Sequence, residues 1–352
     1  MIEPYNEVTD QFREQAADQL NRFLWEQVKS QSHYRTIQEF NGQNNFGAML
    51  VEHFSTSLDH NSPSLFADYL SWFSTVLRTR ELPEYYLDGL LDKFQELIEG
   101  DLSKERRSKF SKHFNEALTS WKQRGIEPHS FIDSGNRLGA LAGHYLSAVL
   151  NANRNEARKL IMEAVEESDT SVKDIYIHVF QAAQYEIGRL WQFNEISVAQ
   201  EHYSTAVTQM IMSQLYPHIF GNGKKGKRMV AACVGRELHE IGIRMVADFF
   251  EMEGWDTYYL GANVPGEDLM QELDDKNPHV LSLSVTMTVN LTLLEDIIEK
   301  IRKKSEYDDL KILVGGYPFQ VSRALWKDMG ADGFAQDAGK AIGIAEELTP
   351  NS

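Results

Sequence analysis

The chain has 352 residues, enough for two or three domains, each with its own core. Its 35 Lys and Arg stand against 52 Asp and Glu, a net charge of -17, which argues against direct nucleic-acid binding because no basic surface is available to displace counterions from phosphates. The single cysteine, Cys233, excludes a disulfide framework and a cysteine-built metal site; inside an apolar run it reads as a small buried hydrophobe.

The opening MIEPYNEVTDQFREQ has neither a basic start nor an apolar stretch, and no apolar run reaches the roughly 18 residues a bilayer requires. A cytoplasmic protein without a membrane span is expected. Residues 1–127 read as nearly all helix, with apolar residues at three- and four-residue spacing over 12–28, 46–58, 65–78, 85–98 and 106–121. Gly42, the Asn61-Ser-Pro63 turn, Pro83 and Gly100 separate these helices, and the two prolines fall where a missing N–H costs little. A polar, Gly- and Pro-containing stretch over 125–130 follows as a linker.

Four further helices, 137–151, 154–167, 172–191 and 196–219, have short connections that suit an up-down four-helix bundle over 128–222. After Gly221-Asn-Gly-Lys-Lys-Gly226 the period changes. Short apolar strands at 228–234, 256–260, 279–285, 310–314 and 332–335 alternate with helices at 240–253, 266–275, 290–304, 319–329 and 337–347. Such alternation predicts a doubly wound parallel α/β sheet over 223–352, whose ligands bind beyond the carboxyl ends of the strands.

Three post-strand loops therefore matter: 235–242, 284–290 and 315–318. The first holds Glu237-Leu238-His239-Glu240-Ile241-Gly242. A carboxylate two residues before a histidine can accept its ring N–H and make the other nitrogen a better metal ligand; the plain alternative is a surface histidine at a helix start. The second loop begins Ser284-Val285-Thr286, with 41 residues between Gly242 and Ser284. The third begins Gly315-Gly316, with 28 residues between Thr286 and Gly315. Paired glycines admit a close approach to backbone, or simply make a tight turn.

Together these pieces resemble the signature of the cobalamin (B12)-binding domain family: an acidic residue, x, His, x, x, Gly, then Ser-x-Leu, then Gly-Gly, at matching spacings. The family's usual Asp is Glu237 here and its Leu is Thr286. The segment from Gly254 to Pro265 also resembles the family's second-strand region. The resemblance implies a Rossmann-like, flavodoxin-like domain with His239 as lower axial ligand of cobalt, flanked by Glu237, Leu238 and Gly242. The nucleotide tail would lie near Ser284, Thr286, Gly315 and Gly316.

Residues 128–222 resemble the helical cap that precedes this domain. Trp191, nine residues, then Glu201-His202 is similar to the cap motif of B12-dependent photoreceptors. That resemblance implies adenosylcobalamin (or methylcobalamin) with Trp191 packed on the upper ligand and Glu201 bonded to it. His202 would be a replacement cobalt ligand after light breaks the Co–C bond. The plain alternative is a core tryptophan beside a solvated Glu–His pair.

The first 127 residues place Phe66, Tyr69, Trp72 and Phe73 on one helix, followed by Arg78 and Arg80, with Tyr85 and Tyr86 opening the next. A helical packing and dimerisation domain accounts for these aromatics. The size and helix content also resemble the globin-like, bilin-binding domain of the photocobilins, which would imply biliverdin held non-covalently, since this region has no cysteine. Haem is the rival ligand, with His33, His53, His60 and His113 available. The expectation is a B12-dependent light sensor, not an enzyme, with light-dependent homo-oligomer assembly and a separate output protein. The alternatives are a corrinoid methyl carrier of a methyltransferase system and a non-photochemical B12-binding regulator.

Overall fold

A computed structural model describes residues 10–28, 45–83, 85–124, 129–133, 135–168, 170–219 and 223–350. The chain divides into two compact units, Met1–Glu127 and Pro128–Ser352. No helix among the described residues is long and apolar enough to cross a membrane.

The first unit contains α1 (Asp10–Val28), α2 (Phe46–Asp59), α3 (Pro63–Thr79), α4 (Tyr85–Asp101) and α5 (Lys104–Gln123). Asn45 caps α2 by accepting from the Ala48 N–H, and Pro63 occupies the first position of α3, where no backbone donor is needed. α2 runs through the middle. Its Phe54 ring meets Phe94 at 5.0 Å, Phe66 at 5.3 Å, Phe114 at 5.9 Å and Phe110 at 6.0 Å between centroids. The aromatics of α3 are used in the same way. Tyr69 stacks on His53 at 3.9 Å and lies near Phe73 at 5.7 Å and Trp72 at 6.0 Å. Packing against one another accounts for these rings, and neither a globin-like fold nor a bilin site is needed to explain them.

The second unit begins with helices α6 (Gly139–Leu150) and α7 (Arg154–Glu166). α8 starts as Val172–Asp174, widens into a π-helix over Ile175–Gln181 and continues as an α-helix over Ala182–Gln192. α9 (Val198–Gln214) opens on a full capping box between Ser197 and Gln200, and Pro217 tightens the chain after it into a short 3-10 turn. Inside this bundle Tyr145 meets Thr208 through their hydroxyls at 2.7 Å.

Five parallel strands follow: β1 (Arg228–Val234), β2 (Asp256–Val264), β3 (Val280–Ser284), β4 (Lys311–Gly315) and β5 (Gly333–Ala335), in the order β2-β1-β3-β4-β5. They alternate with α10 (Ile241–Met252), α11 (Gly266–Lys276), α12 (Leu291–Arg302), the short α13 (Tyr317–Val321) and α14 (Leu325–Asp328), and α15 (Ala338–Leu348). The doubly wound, flavodoxin-like sheet is as expected. β2 is longer than its apolar run suggests, because the pairing with β1 slips at Ala231/Ala232 and again at Ala232/Val234, with Gly261 and Asn263 at positive φ. The single helix expected over 319–329 is broken into α13 and α14 around Ser322, where the backbone leaves the helical region at φ -125° and ψ 87°.

The helices α6–α9, here called the cap, and the sheet share a core. Met245, Phe249 and Met252 of α10 belong to the same buried cluster as Tyr145, Tyr176, Phe180 and Ile211. Tyr176 also donates its hydroxyl to Asp248 at 2.8 Å, and Tyr216 bonds the same buried carboxylate.

Candidate functional site at the carboxyl edge of the sheet

β1 and β3 are adjacent but their connections leave in opposite directions, so the loops after them open a crevice at the topological switch point. Glu237 fills its floor with no solvent exposure. One carboxylate oxygen accepts the His239 N–H at 3.2 Å and bonds His239 Nδ1. The other accepts from Thr286 N at 2.8 Å, Met287 N at 2.9 Å and Asn290 Nδ2 at 3.2 Å. Glu237 thus ties the β1 loop to the β3 loop through five donors. Burial by itself would raise its pKa. The His239 bond, the Met287 and Thr286 N–H groups and the His239 charge outweigh that and bring it down to about 2. The bond to Glu237 in turn raises the pKa of His239, against the opposing effect of burial, with the charge of Glu201 adding to the rise.

The proton on Nδ1 is held by Glu237, so the neutral ring presents its lone pair on Nε2. Among the described residues Nε2 has no hydrogen-bond partner, and the His239 side chain is 58% exposed. This is the donor set of a histidine metal ligand with its orienting carboxylate. Asn290 was not among the expected site residues. Its only trace in the sequence is an Asn at a helix start, where capping the helix is the ordinary explanation. Thr286 acts through its backbone N–H, so the departure from Leu leaves this contact intact.

The remaining loop residues divide between framework and open surface. Ser284 pairs in register with Gly315 across β3 and β4. At Gly316, φ is +108° and a Cβ would lie 1.8 Å from the Val285 carbonyl oxygen, so what presses on this glycine is the β3 loop itself. Gly242 faces open space, with nothing within 4 Å of where a Cβ would be. Leu238 is 73% exposed. Exposed large hydrophobics recur at this edge: Leu238 after β1, Leu293 after β3 and Tyr317 after β4. Exposed apolar side chains on the same carboxyl edge as a metal-ready histidine fit a broad ligand with apolar faces and a metal at its centre, as a corrinoid has.

The cap reaches this edge through α9. Gln209 donates to Glu240 at 2.7 Å while Tyr259 donates to its other oxygen at 2.8 Å. Arg244 reaches the Gln209 carbonyl and Ser213. Glu201 lies close enough for its charge to act on His239. His202 pairs with Glu201 at 3.3 Å and is 74% exposed, and Trp191 is half-buried in the last turn of α8. In the first unit, His53 is buried against Tyr69, and burial lowers its pKa to about 3. His113 bonds Ser57 at 2.9 Å. His33 lies outside the described residues.

Two family profiles, both described as B12 binding domain, match residues 141–216 and 227–343. A corrinoid protein of Desulfitobacterium hafniense is 24% identical over 207 residues, spanning 57% of this chain and 94% of the relative. The dimethylamine corrinoid protein 1 of Methanosarcina acetivorans is 25% identical over 207 residues, spanning 57% of this chain and 93% of its own length. The monomethylamine corrinoid protein of Methanosarcina barkeri shares the fold with a TM-score of 0.54 at 24% identity, covering 60% of this chain and all of that one. These relatives are named as corrinoid proteins, not photoreceptors, and the light-sensor and photocobilin expectations gain no support from them. Residues 141–216 and 227–343 belong to the B12 binding domain family.

Proposed function

We propose that the chain is a corrinoid carrier that holds cobalt on His239 and presents a methyl group to a separate methyltransferase. The observation that carries this reading is the Glu237–His239 pair, with Nδ1 tethered and Nε2 open at the switch point of a B12 binding domain. The relatives named for dimethylamine and monomethylamine favour methyl carriage over light sensing. A bound corrinoid would supply a cobalt centre able to take up and give up a methyl group. The protein's part is to hold His239 in one tautomer, to fix the loop through Glu237 and to shelter the ring between the cap and the sheet. The adenosyl form, biliverdin and light-driven assembly have only the sequence resemblance behind them, carried by Trp191, Glu201 and His202.

The test is to load the full chain, labelled with 15N-histidine, with hydroxocobalamin and reduce it to the cobalt(II) state. A nitrogen hyperfine pattern that changes with the label, and is lost in His239→Ala, is expected; a label-independent pattern overturns the ligand assignment. Loading with adenosylcobalamin in the dark and exposing it to green light then separates the two functions. A carrier photolyses no faster than the free cofactor and keeps its assembly state, whereas faster photolysis with a new, His202-dependent spectrum returns the light sensor.

A further inference from the structure

A cleft of about 330 Å³ opens between the cap and the β4–β5 end of the sheet. Its polar lining is dominated by carboxamides: Asn136 before α6, Gln181 from α8, Gln320 from α13 and Gln336 just after β5, with His178 among them. The π-helical stretch Ile175–Gln181 supplies Ile177, His178 and Gln181 to one wall, and π-turns gather at functional sites because the widened turn re-aims side chains.

Much of the hydrogen-bonding capacity here is unspent. The Gln320 side chain makes no hydrogen bond among the described residues. Gln181 donates to Tyr185 and Gln336 accepts from Lys340, which leaves the Gln181 oxygen and the Gln336 amide N–H groups available. The Asn136 amide donates to His178 Nδ1 at 3.2 Å, which places the imidazole proton on Nε2 as a further donor. The cleft therefore offers donors and acceptors together, the pattern that matches a primary carboxamide. Asp133 and Asp337 line the same space and disfavour an anionic guest, while Lys340 is tied to Gln336 and Asp337. Counting strands outward from β1 at roughly 4.8 Å each puts the end of β4, before Gln320, about 10 Å from the loop that carries His239, and the end of β5, before Gln336, about 14 Å from it. A corrin ring is fringed with carboxamide arms, and if it were held on His239 some of those arms would reach toward the β4 side of the edge.

We infer that this cleft receives carboxamide arms of the corrin rim, and that Gln181, Gln320 and Gln336 make the protein select fully amidated corrinoids over those with carboxylate arms. This rests on the corrinoid reading above.

The test is to titrate the full chain with hydroxocobalamin and with hydroxocobalamin whose rim propionamides have been singly hydrolysed to carboxylates, following absorbance. The wild type should bind the amide form about tenfold tighter than at least one carboxylate form, the difference expected when a buried amide pair is exchanged for a mismatched, repelled acid. Gln320→Leu with Gln336→Leu should weaken binding of the amide form by about tenfold, with the thermal midpoint and the spectrum of the bound cobalt unchanged. Gln320→Lys should shift preference toward a carboxylate form, a gain that a merely damaged fold cannot give. If the wild type binds hydroxocobalamin but treats all forms alike, or if none of these variants changes the preference, the inference is overturned alone. If the wild type binds none of them, the corrinoid reading falls as well.

Discussion

The helical first unit leaves several buried polar atoms unpaired, whereas the carboxyl edge of the sheet saturates one buried carboxylate. Among the described residues of the helical first unit, His53 Nδ1, Ser55 Oγ and Tyr69 OH are buried without a hydrogen-bond partner. At the carboxyl edge of the sheet, one buried carboxylate collects five donors from two loops. An orphaned polar atom in a helical core costs stability and organises nothing. A saturated carboxylate fixes the position of every group that points at it. The lesson is that the number of buried polar residues does not mark a site; convergence of donors on one atom does.

The sharpest way to break this contrast is Glu237→Gln. Whichever way the amide is turned, its NH2 faces at least two of the donors now bonded to Glu237, so the two loops should separate. A stability loss on the order of 3–5 kcal/mol is expected, because the partners stay buried and unpaired. Calorimetry measures the loss, and hydrogen exchange at 286–290 localises it. In the wild type this contribution is present above the ordinary glutamate range and is lost as pH falls from 4.5 toward about 2.

Asp248 lies between the two extremes, buried but bonded by Tyr176 and Tyr216. Burial is the main cause of its rise from 3.8 to about 6, with the two tyrosines and Arg244 pulling the other way and Glu251 adding to the rise. A carboxyl raised in the folded state stabilises while protonated, so its contribution is present below pH 3.8 and fades as pH climbs through about 6. The size is on the order of 2–3 kcal/mol. Asp248→Asn keeps an acceptor for Tyr176 and should remove this slope. Calorimetry of wild type and variant across that window, read as a difference, checks it; parallel curves would count against the assignment.

The smallest effect belongs to the first unit. Tyr69→Phe removes a hydroxyl that bonds no described residue and keeps the ring stacked on His53. Stability should stay level or rise by up to about 1 kcal/mol. A clear loss would show that the hydroxyl has a partner and would weaken the contrast.

The sheet was legible because each buried strand is a short apolar run, and Met229 to Val234 is fully buried as such a run requires. Glu237 and His239 were legible because they are close in sequence. The partners Thr286, Met287 and Asn290 lie 49 to 53 residues away, and the pairing depends on β1 and β3 being neighbours. The π-turn in α8 left no trace, since one residue of extra winding barely disturbs a helical period. The aromatic run of α3 was ambiguous for a physical reason: rings spaced to stack on a pyrrole are equally well spaced to pack on Phe54 and His53.

The core shared by cap and sheet makes the two parts poor candidates for exchange. A cap grafted onto another sheet domain would have to find the equivalents of Met245, Asp248, Phe249 and Met252 on the receiving helix, in the same order along its face. A sheet domain cut free of its cap would carry that apolar face into solvent, an invitation to aggregate. Recombination within this lineage is therefore expected to move residues from α6 through α10 as one block, with any breakpoint falling outside it.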